Sequence, residues 1–300
     1  MILAVFILLQ AFRLIDLLIV NKTVENIMVI PFQLVIFLLP AYLFAKIKSP
    51  QRPTDYFMKL RVKLPSLYQI PLIITGVIAL ACGCLLISIV FNGAKSSSDG
   101  FTLYNTFVSR NGGGFFEALF LIIAYAAVPA FCEELVFRGI LSREFERYNV
   151  VFGIFSSSLF FALLHFNPSQ IPVYLFSGIV LALSMYATGS IAVPMIMHFI
   201  YNVFGLFGQS FINAFYEVTG GSVGLFVFII LIIGLLATAL FCNFASISYQ
   251  KRAKFSTIPN HKLLPKADSI VAIFSEIFLT PWSIAAICFY IVVVIIYSLI

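Results

Sequence analysis

Two adjacent carboxylates and an arginine sit in the apolar run Pro129-Ala130-Phe131-Cys132-Glu133-Glu134-Leu135-Val136-Phe137-Arg138-Gly139. Ionisable side chains in such a setting are costly, and each marks a functional site by default. On a helix Glu134 and Arg138 stand at i and i+4 and can pair, while Glu133 points about 100° away around the axis. One arginine cannot easily satisfy both. Further along, Phe161 and His165 lie one helical turn apart, and His198 and Asn202 repeat that spacing in His198-Phe199-Ile200-Tyr201-Asn202. Of the three histidines in the chain only His261 falls in a basic segment. Two imidazoles, a carboxylate and an amide inside apolar helices are the ingredients for activating a water and holding an oxyanion. Taken singly, each has a plain structural reading: an ion pair, an imidazole bonded to a neighbouring backbone, an asparagine joining two helices. Together, with few competing polar residues around them, they predict a catalytic constellation.

The elements that must position these groups are membrane helices. The chain has 300 residues, of which 62% are hydrophobic and only 10% charged, with a mean hydropathy of +1.08. A soluble domain carries about a quarter charged residues. A water-soluble enzyme is therefore excluded, and so is a disordered chain. Apolar runs near the roughly 20 residues needed to span a bilayer fall at 1–20, 27–45, 67–92, 115–141, 150–167, 170–188, 190–208, 222–244 and 281–299. The first is interrupted by Arg13 and Asp16, three apart and able to pair on one helical face. The stretch 268–280 stops at Pro281 and is expected to lie along the interface. The expectation is an all-α polytopic bundle of eight or nine spans, forming a single integral-membrane domain over 1–300. Its core lies at about 115–208, with flanking spans in 1–92 and 222–299.

Charge sets the direction of the bundle. The net charge of +6 is carried by short segments between spans, which argues against a nucleic-acid partner. Lys46, Lys48, Arg52, Lys59, Arg61 and Lys63 follow the second span, Arg143 and Arg147 the fourth, and Lys251, Arg252, Lys254, Lys262 and Lys266 the eighth. The alternate loops are poor in Lys and Arg, holding only Lys95 and Arg110, and 209–221 has neither. Basic loops face the cytoplasm, so the N-terminus is expected inside, in a membrane best matched by the bacterial cytoplasmic one. The five cysteines, Cys82, Cys84, Cys132, Cys242 and Cys288, lie in apolar stretches without disulfide or zinc-ribbon spacing and are expected to be bystander thiols.

These motifs resemble a known family, the CAAX protease and bacteriocin-processing (CPBP, Abi) intramembrane proteases that include the type II CAAX prenyl endopeptidase. The pattern is Glu-Glu-x-x-x-Arg, then Phe-x-x-x-His, then His-x-x-x-Asn or Asp, each on a membrane helix. Here it is met by Glu133, Glu134 and Arg138, by Phe161 and His165, and by His198 and Asn202. The resemblance covers about 115–208 and implies an intramembrane endopeptidase acting on a membrane-associated peptide or protein. It implies that Glu133 with His165 polarises a water and that His198 and Asn202 stabilise the oxyanion. Glu134 with Arg138 would hold the helix and orient Glu133. Glu133, His165 and His198 could also hold a divalent metal such as zinc, with water in the fourth position. The His-Glu-x-x-His zinc helix is absent, and a site without metal is equally compatible with these residues. No organic cofactor is implied.

One point of geometry strains this picture. Glu133 lies toward the cytoplasmic end of a fourth span that stops at 141, and His165 toward the outer end of the fifth, a mismatch of roughly 10 Å at 1.5 Å per residue. A fourth helix continuing to about Glu146 would remove it. Other motifs are decoys. Gly220-Gly221-Ser222-Val223-Gly224 matches Gly-x-Ser-x-Gly but has no strand–turn–helix context, and Asp99-Gly100 lacks the Gly-x-Gly that an aspartyl protease would need. Glu117 and Glu276 are single carboxylates near span ends, and Ser96–Ser98 reads as a connector. Two other functions compete: a non-catalytic membrane scaffold or bacteriocin-immunity protein, and a proton-coupled transporter using Glu133 and Glu134. The intact motif residues count against the first, and the lack of an inverted repeat against the second.

Overall fold

A computed structural model describes residues 1–19, 22–54, 62–93, 114–255 and 267–299. Lys59, Arg61, Lys95, Ser96–Ser98, Asp99-Gly100, Arg110, His261, Lys262 and Lys266 lie outside the described residues, as does the side chain of Lys254. Among the described residues every regular element is helical: α1 (Ile2–Leu18), α2 (Lys22–Lys48), α3 (Ile70–Asn92), α4 (Phe115–Glu146), α5 (Val150–Leu164), α6 (Ile171–Thr188), α7 (Ala192–Phe207), α8 (Gln209–Val218), α9 (Val223–Phe255), α10 (Ala267–Phe278) and α11 (Pro281–Leu299). Proline opens several of them, at Pro71 in α3, Pro172 in α6 and Pro281 in α11, where its missing N–H has no intrahelical partner to lose. Pro31 and Pro40 lie inside α2.

Among the described residues six helices are long and apolar enough to cross a bilayer, or seven if the bent pair α7–α8 counts as one span. This falls short of the expected eight or nine, for two physical reasons. The 17-residue α1 carries Arg13 and Asp16, and the 15-residue α5 rises only about 22 Å, against a hydrocarbon core of about 30 Å. Residues 209–221, expected as a bare loop, contain helix α8, bent by 68° from α7. After it Gly220 and Gly221, at φ of +66° and +69°, turn the chain into α9. The Gly-x-Ser-x-Gly match is thus a helix–turn–helix joint.

The chain divides into two units, each described by itself. The first comprises Met1–Arg61, Cys132–Ile171 and Ile258–Ile300. Here the second half of α4 packs antiparallel on α5, and α1 packs on α2 and α11. Asn149 starts α5 by accepting hydrogen bonds at Oδ1 from the N–H groups of Val151 (2.8 Å) and Phe152 (3.4 Å). Gly153 lets the two helices touch: a Cβ there would lie 3.0 Å from the Glu146 backbone nitrogen and 3.1 Å from the Ser142 carbonyl oxygen. Lys48 at the end of α2 bonds Glu144 at 3.1 Å, and Arg147 bonds the same carboxylate at 3.0 Å. Arg13 lies 5.9 Å from the Phe166 ring centroid, and Tyr297 in α11 donates to Gln10 in α1 at 2.5 Å.

The second unit comprises Val62–Phe131 and Pro172–Thr257. Its core gathers Leu72, Leu80, Leu181, Val193, Met197 and Phe241 from α3, α6, α7 and α9. Among its described residues the basic ones gather at one end: Ser190 after α6 exchanges hydrogen bonds with the Lys63 backbone, Lys251 lies over Tyr68 at 4.2 Å, and Arg252 lies 5.4 and 5.5 Å from Tyr186 and Tyr249. The cysteines are all free; Cys82, Cys84 and Cys132 are buried, whereas Cys242 and Cys288 are exposed.

Candidate active site

Helix α4 is not uniformly α-helical. Ile122–Ala127 and Leu135–Ser142 form wider π turns on either side of the α-helical Val128–Glu134 segment, which ends on the two glutamates. π segments inside α-helices are frequent at functional sites. Glu134 and Arg138 are fully buried, and Arg138 Nη1 donates to Glu134 Oε1 at 2.7 Å. The i, i+4 pairing expected from the spacing is formed. Glu133, one residue earlier, is half-buried, so the two carboxylates occupy different surroundings, as the rotation about the axis requires.

The Arg138 guanidinium lies 4.4 Å from the centroid of the Phe161 ring on α5. Phe137 meets the same ring edge-on at 5.5 Å, and Phe161 meets the His165 imidazole at 5.2 Å with 69° between planes. A continuous set of contacts therefore joins Glu134, Arg138, Phe161 and His165. His165 caps the C-terminal end of α5, and its Nδ1 lies 3.0 Å from the Phe161 carbonyl oxygen. A carbonyl oxygen only accepts, so this bond assigns the hydrogen to Nδ1. Nε2 is then the nitrogen able to take up a proton or bind a metal.

Helix α4 continues past 141 to Glu146, as the geometry required, because the polar segment Arg143–Glu146 stays helical. Glu133 then stands thirteen residues before the end of α4, and His165 fifteen residues after Val150.

In the second unit α7 carries His198, 6% exposed, and the half-buried Asn202 one turn later. Tyr201 between them lies beside Cys84 of α3, whose thiol donates to the Val173 carbonyl of α6 at 3.9 Å. Helix α7 is thus set against α3, and α3 against α6. Among the described residues no group of three His, Cys, Asp or Glu side chains able to hold a metal ion is found.

Phe161, which links Arg138 to His165, was already marked by its one-turn spacing to that histidine. One feature escapes sequence reasoning. Phe166, directly after His165, has φ of +50°, and a phenylalanine gives no warning of that conformation.

A family profile for Type II CAAX prenyl endopeptidase Rce1-like proteins matches residues 115–204, a stretch that includes all seven motif residues. The chain is 30% identical over 193 residues to the membrane-embedded CAAX protease MroQ of Staphylococcus aureus (strain USA300), an alignment covering 59% of this chain and 72% of that protein. No solved structure matches it. On these similarities, and with its motif residues carried on apolar helices, the chain belongs to the Rce1-like type II CAAX prenyl endopeptidase family.

Proposed function

We propose that this chain is an intramembrane endopeptidase that hydrolyses a peptide bond in a membrane-associated peptide or protein, in CAAX-type or bacteriocin and peptide processing. Glu133 with His165 takes a proton from water, and the resulting hydroxide attacks the scissile carbonyl. The His198 imidazole and the Asn202 amide donate hydrogen bonds to the oxyanion that forms. When the tetrahedral intermediate collapses, the proton held by Glu133 and His165 passes to the leaving amine. Glu134, Arg138 and Phe161 keep their places beneath this chemistry. The observation that carries the reading is the buried Glu134–Arg138 pair, continued through Phe161 to His165, in a chain with only 10% charged residues.

The bilayer is the protein's setting and a membrane-tethered peptide its partner. The basic ends gathered within each unit support an orientation with those ends, and the N-terminus, on the inside of a bacterial cytoplasmic membrane.

The test is cleavage of a membrane-tethered peptide by purified wild type and Glu133→Ala, with and without a chelator. Glu133→Ala is expected to be slower by at least about 100-fold. Equal cleavage by both would overturn the reading in favour of a non-catalytic scaffold or immunity protein. Loss of wild-type activity on chelation would assign Glu133, His165 and His198 to a divalent metal such as zinc; retention would assign them to proton transfer alone.

A further inference from the structure

His165 is held on one side by the Phe161 carbonyl. The residue on its other side is the least expected feature of the first unit. Phe166 has φ of +50°, the single positive value at a non-glycine position among the described residues. For a bulky side chain the left-handed region is a genuine outlier that persists only where the surroundings enforce it. Here they do. The backbone N–H groups of His165 and Phe166 close the last turn of α5 on the carbonyls of Ala162 and Leu163, and the Phe166 ring then leaves the helix axis and is 95% buried. Phe6 of α1 meets it edge-on at 5.3 Å, Tyr290 of α11 lies tilted against it at 5.3 Å, and Phe289 closes a third side at 6.4 Å. The Arg13 guanidinium stands 5.9 Å from its centroid. Every wall of this socket comes from α1 or α11, outside the 115–204 stretch that matches the family.

We propose that Phe166 is a positioning residue: its ring, seated in the socket of α1 and α11, fixes the backbone turn that aims His165. The inference rests on the reading of His165 as a catalytic group, and it gives the flanking helices a task besides anchoring. Between Phe161, covered by Arg138, and Phe166, covered by Phe6 and Tyr290, the imidazole is clamped from two directions. Losing the second clamp leaves the peptide-binding surface in place and loosens one reacting group. The effect belongs in kcat and not in KM, because a displacement of about 1 Å at a reacting group can cost on the order of 100-fold in rate.

Phe166→Ala, Phe166→Gly, Tyr290→Ala and Tyr290→Phe are compared with wild type in full-length protein, with thermal unfolding measured in the same detergent. Glycine suits the backbone angle but lacks the ring, so it separates the turn from the socket. The Tyr290 hydroxyl has no hydrogen-bond partner among the described residues, so Tyr290→Phe keeps everything the socket uses. The expected result is a kcat lower by about 10- to 100-fold in both Phe166 variants, with KM within about twofold. Tyr290→Ala should be impaired and Tyr290→Phe should match wild type. Histidine nitrogen NMR supplies the second readout: the His165 signal, assigned by its loss in His165→Gln, should report the Nδ1–H form in wild type and a mixture of tautomers in Phe166→Ala.

Wild-type kcat in the two Phe166 variants, or a lowered kcat with an unchanged His165 signal, would overturn the inference. If Phe166→Ala does not fold, the Tyr290 pair decides: equal rates for Ala and Phe overturn it. An active His165→Gln would instead refute the catalytic role of His165, while the tautomer spectra would still stand as the measure of positioning.

Discussion

Replacing Arg138 by methionine removes the guanidinium that lies 2.7 Å from Glu134 and 4.4 Å from the Phe161 ring, in a place where neither charged side chain is exposed. Breaking a buried ion pair by deleting one partner costs about 3–5 kcal/mol, because the remaining charge keeps its desolvation penalty. Losing a desolvated cation–π contact adds about 2 kcal/mol. Glu134→Leu should cost a similar 3–5 kcal/mol from the other side. The double variant Glu134→Leu/Arg138→Met removes both charges, and apolar substitution of a whole buried pair is often close to neutral. It should therefore recover most of the stability lost by either single variant, short of the roughly 2 kcal/mol of stacking on Phe161. Activity should behave differently. Phe161 supplies the carbonyl that holds His165 Nδ1 and would lose its platform in the double variant, so cleavage should stay at least about tenfold below wild type. Unfolding in detergent gives the stabilities, and cleavage of the membrane-tethered peptide gives the rates. Single variants within about 0.5 kcal/mol of wild type would refute the buried-pair reasoning. A fully active double variant would refute transmission from Arg138 through Phe161.

Two more outcomes follow from helix α5. A Cβ at Gly153 would meet the Glu146 nitrogen at 3.0 Å and the Ser142 oxygen at 3.1 Å, both backbone atoms. Gly153→Ala should then push α5 off α4, cost about 1–3 kcal/mol and slow cleavage. Gly224→Ala, where nothing lies within 4 Å, is the control and should be neutral or slightly stabilising in thermal unfolding. Asn149→Ala removes the acceptor for the Val151 and Phe152 N–H groups and should lower stability by about 1 kcal/mol, whereas Asn149→Asp keeps it. Cleavage should change little in either Asn149 variant, since the cap lies at the end of α5 opposite His165.

What could be read from the sequence was set by contrast. In so apolar a chain Glu133, Glu134, Arg138, His165, His198 and Asn202 stand out by type alone, and helical spacing already pairs Glu134 with Arg138. Hydropathy gave most of the helices, because a run of about 20 apolar residues has few other fates. It overcounted spans where length and geometry matter more than composition: α5 is apolar but short, and α7 breaks at Gly208 into α8. Helix α8 was invisible because polar residues such as Gln209, Asn213 and Glu217 are interleaved with its phenylalanines, which resembles a loop when averaged. The extension of α4 past 141 was a requirement of geometry before it was an observation. Phe161 was legible only through its spacing to His165, and Phe166 not at all. Their roles come from which ring lies over which group, and composition does not encode that.

The shortness of α5 has a consequence for supply as well as for shape. A helix rising about 22 Å is shorter than a hydrocarbon core of about 30 Å, so an end of α5 stops inside it. His165 closes one end, and Phe160–Leu164 before it are buried in protein and not laid against lipid. Hydrolysis consumes water, which hydrocarbon excludes. A helix that ends short of the full thickness leaves room beyond the imidazole for the reactant, which a full-length span would fill.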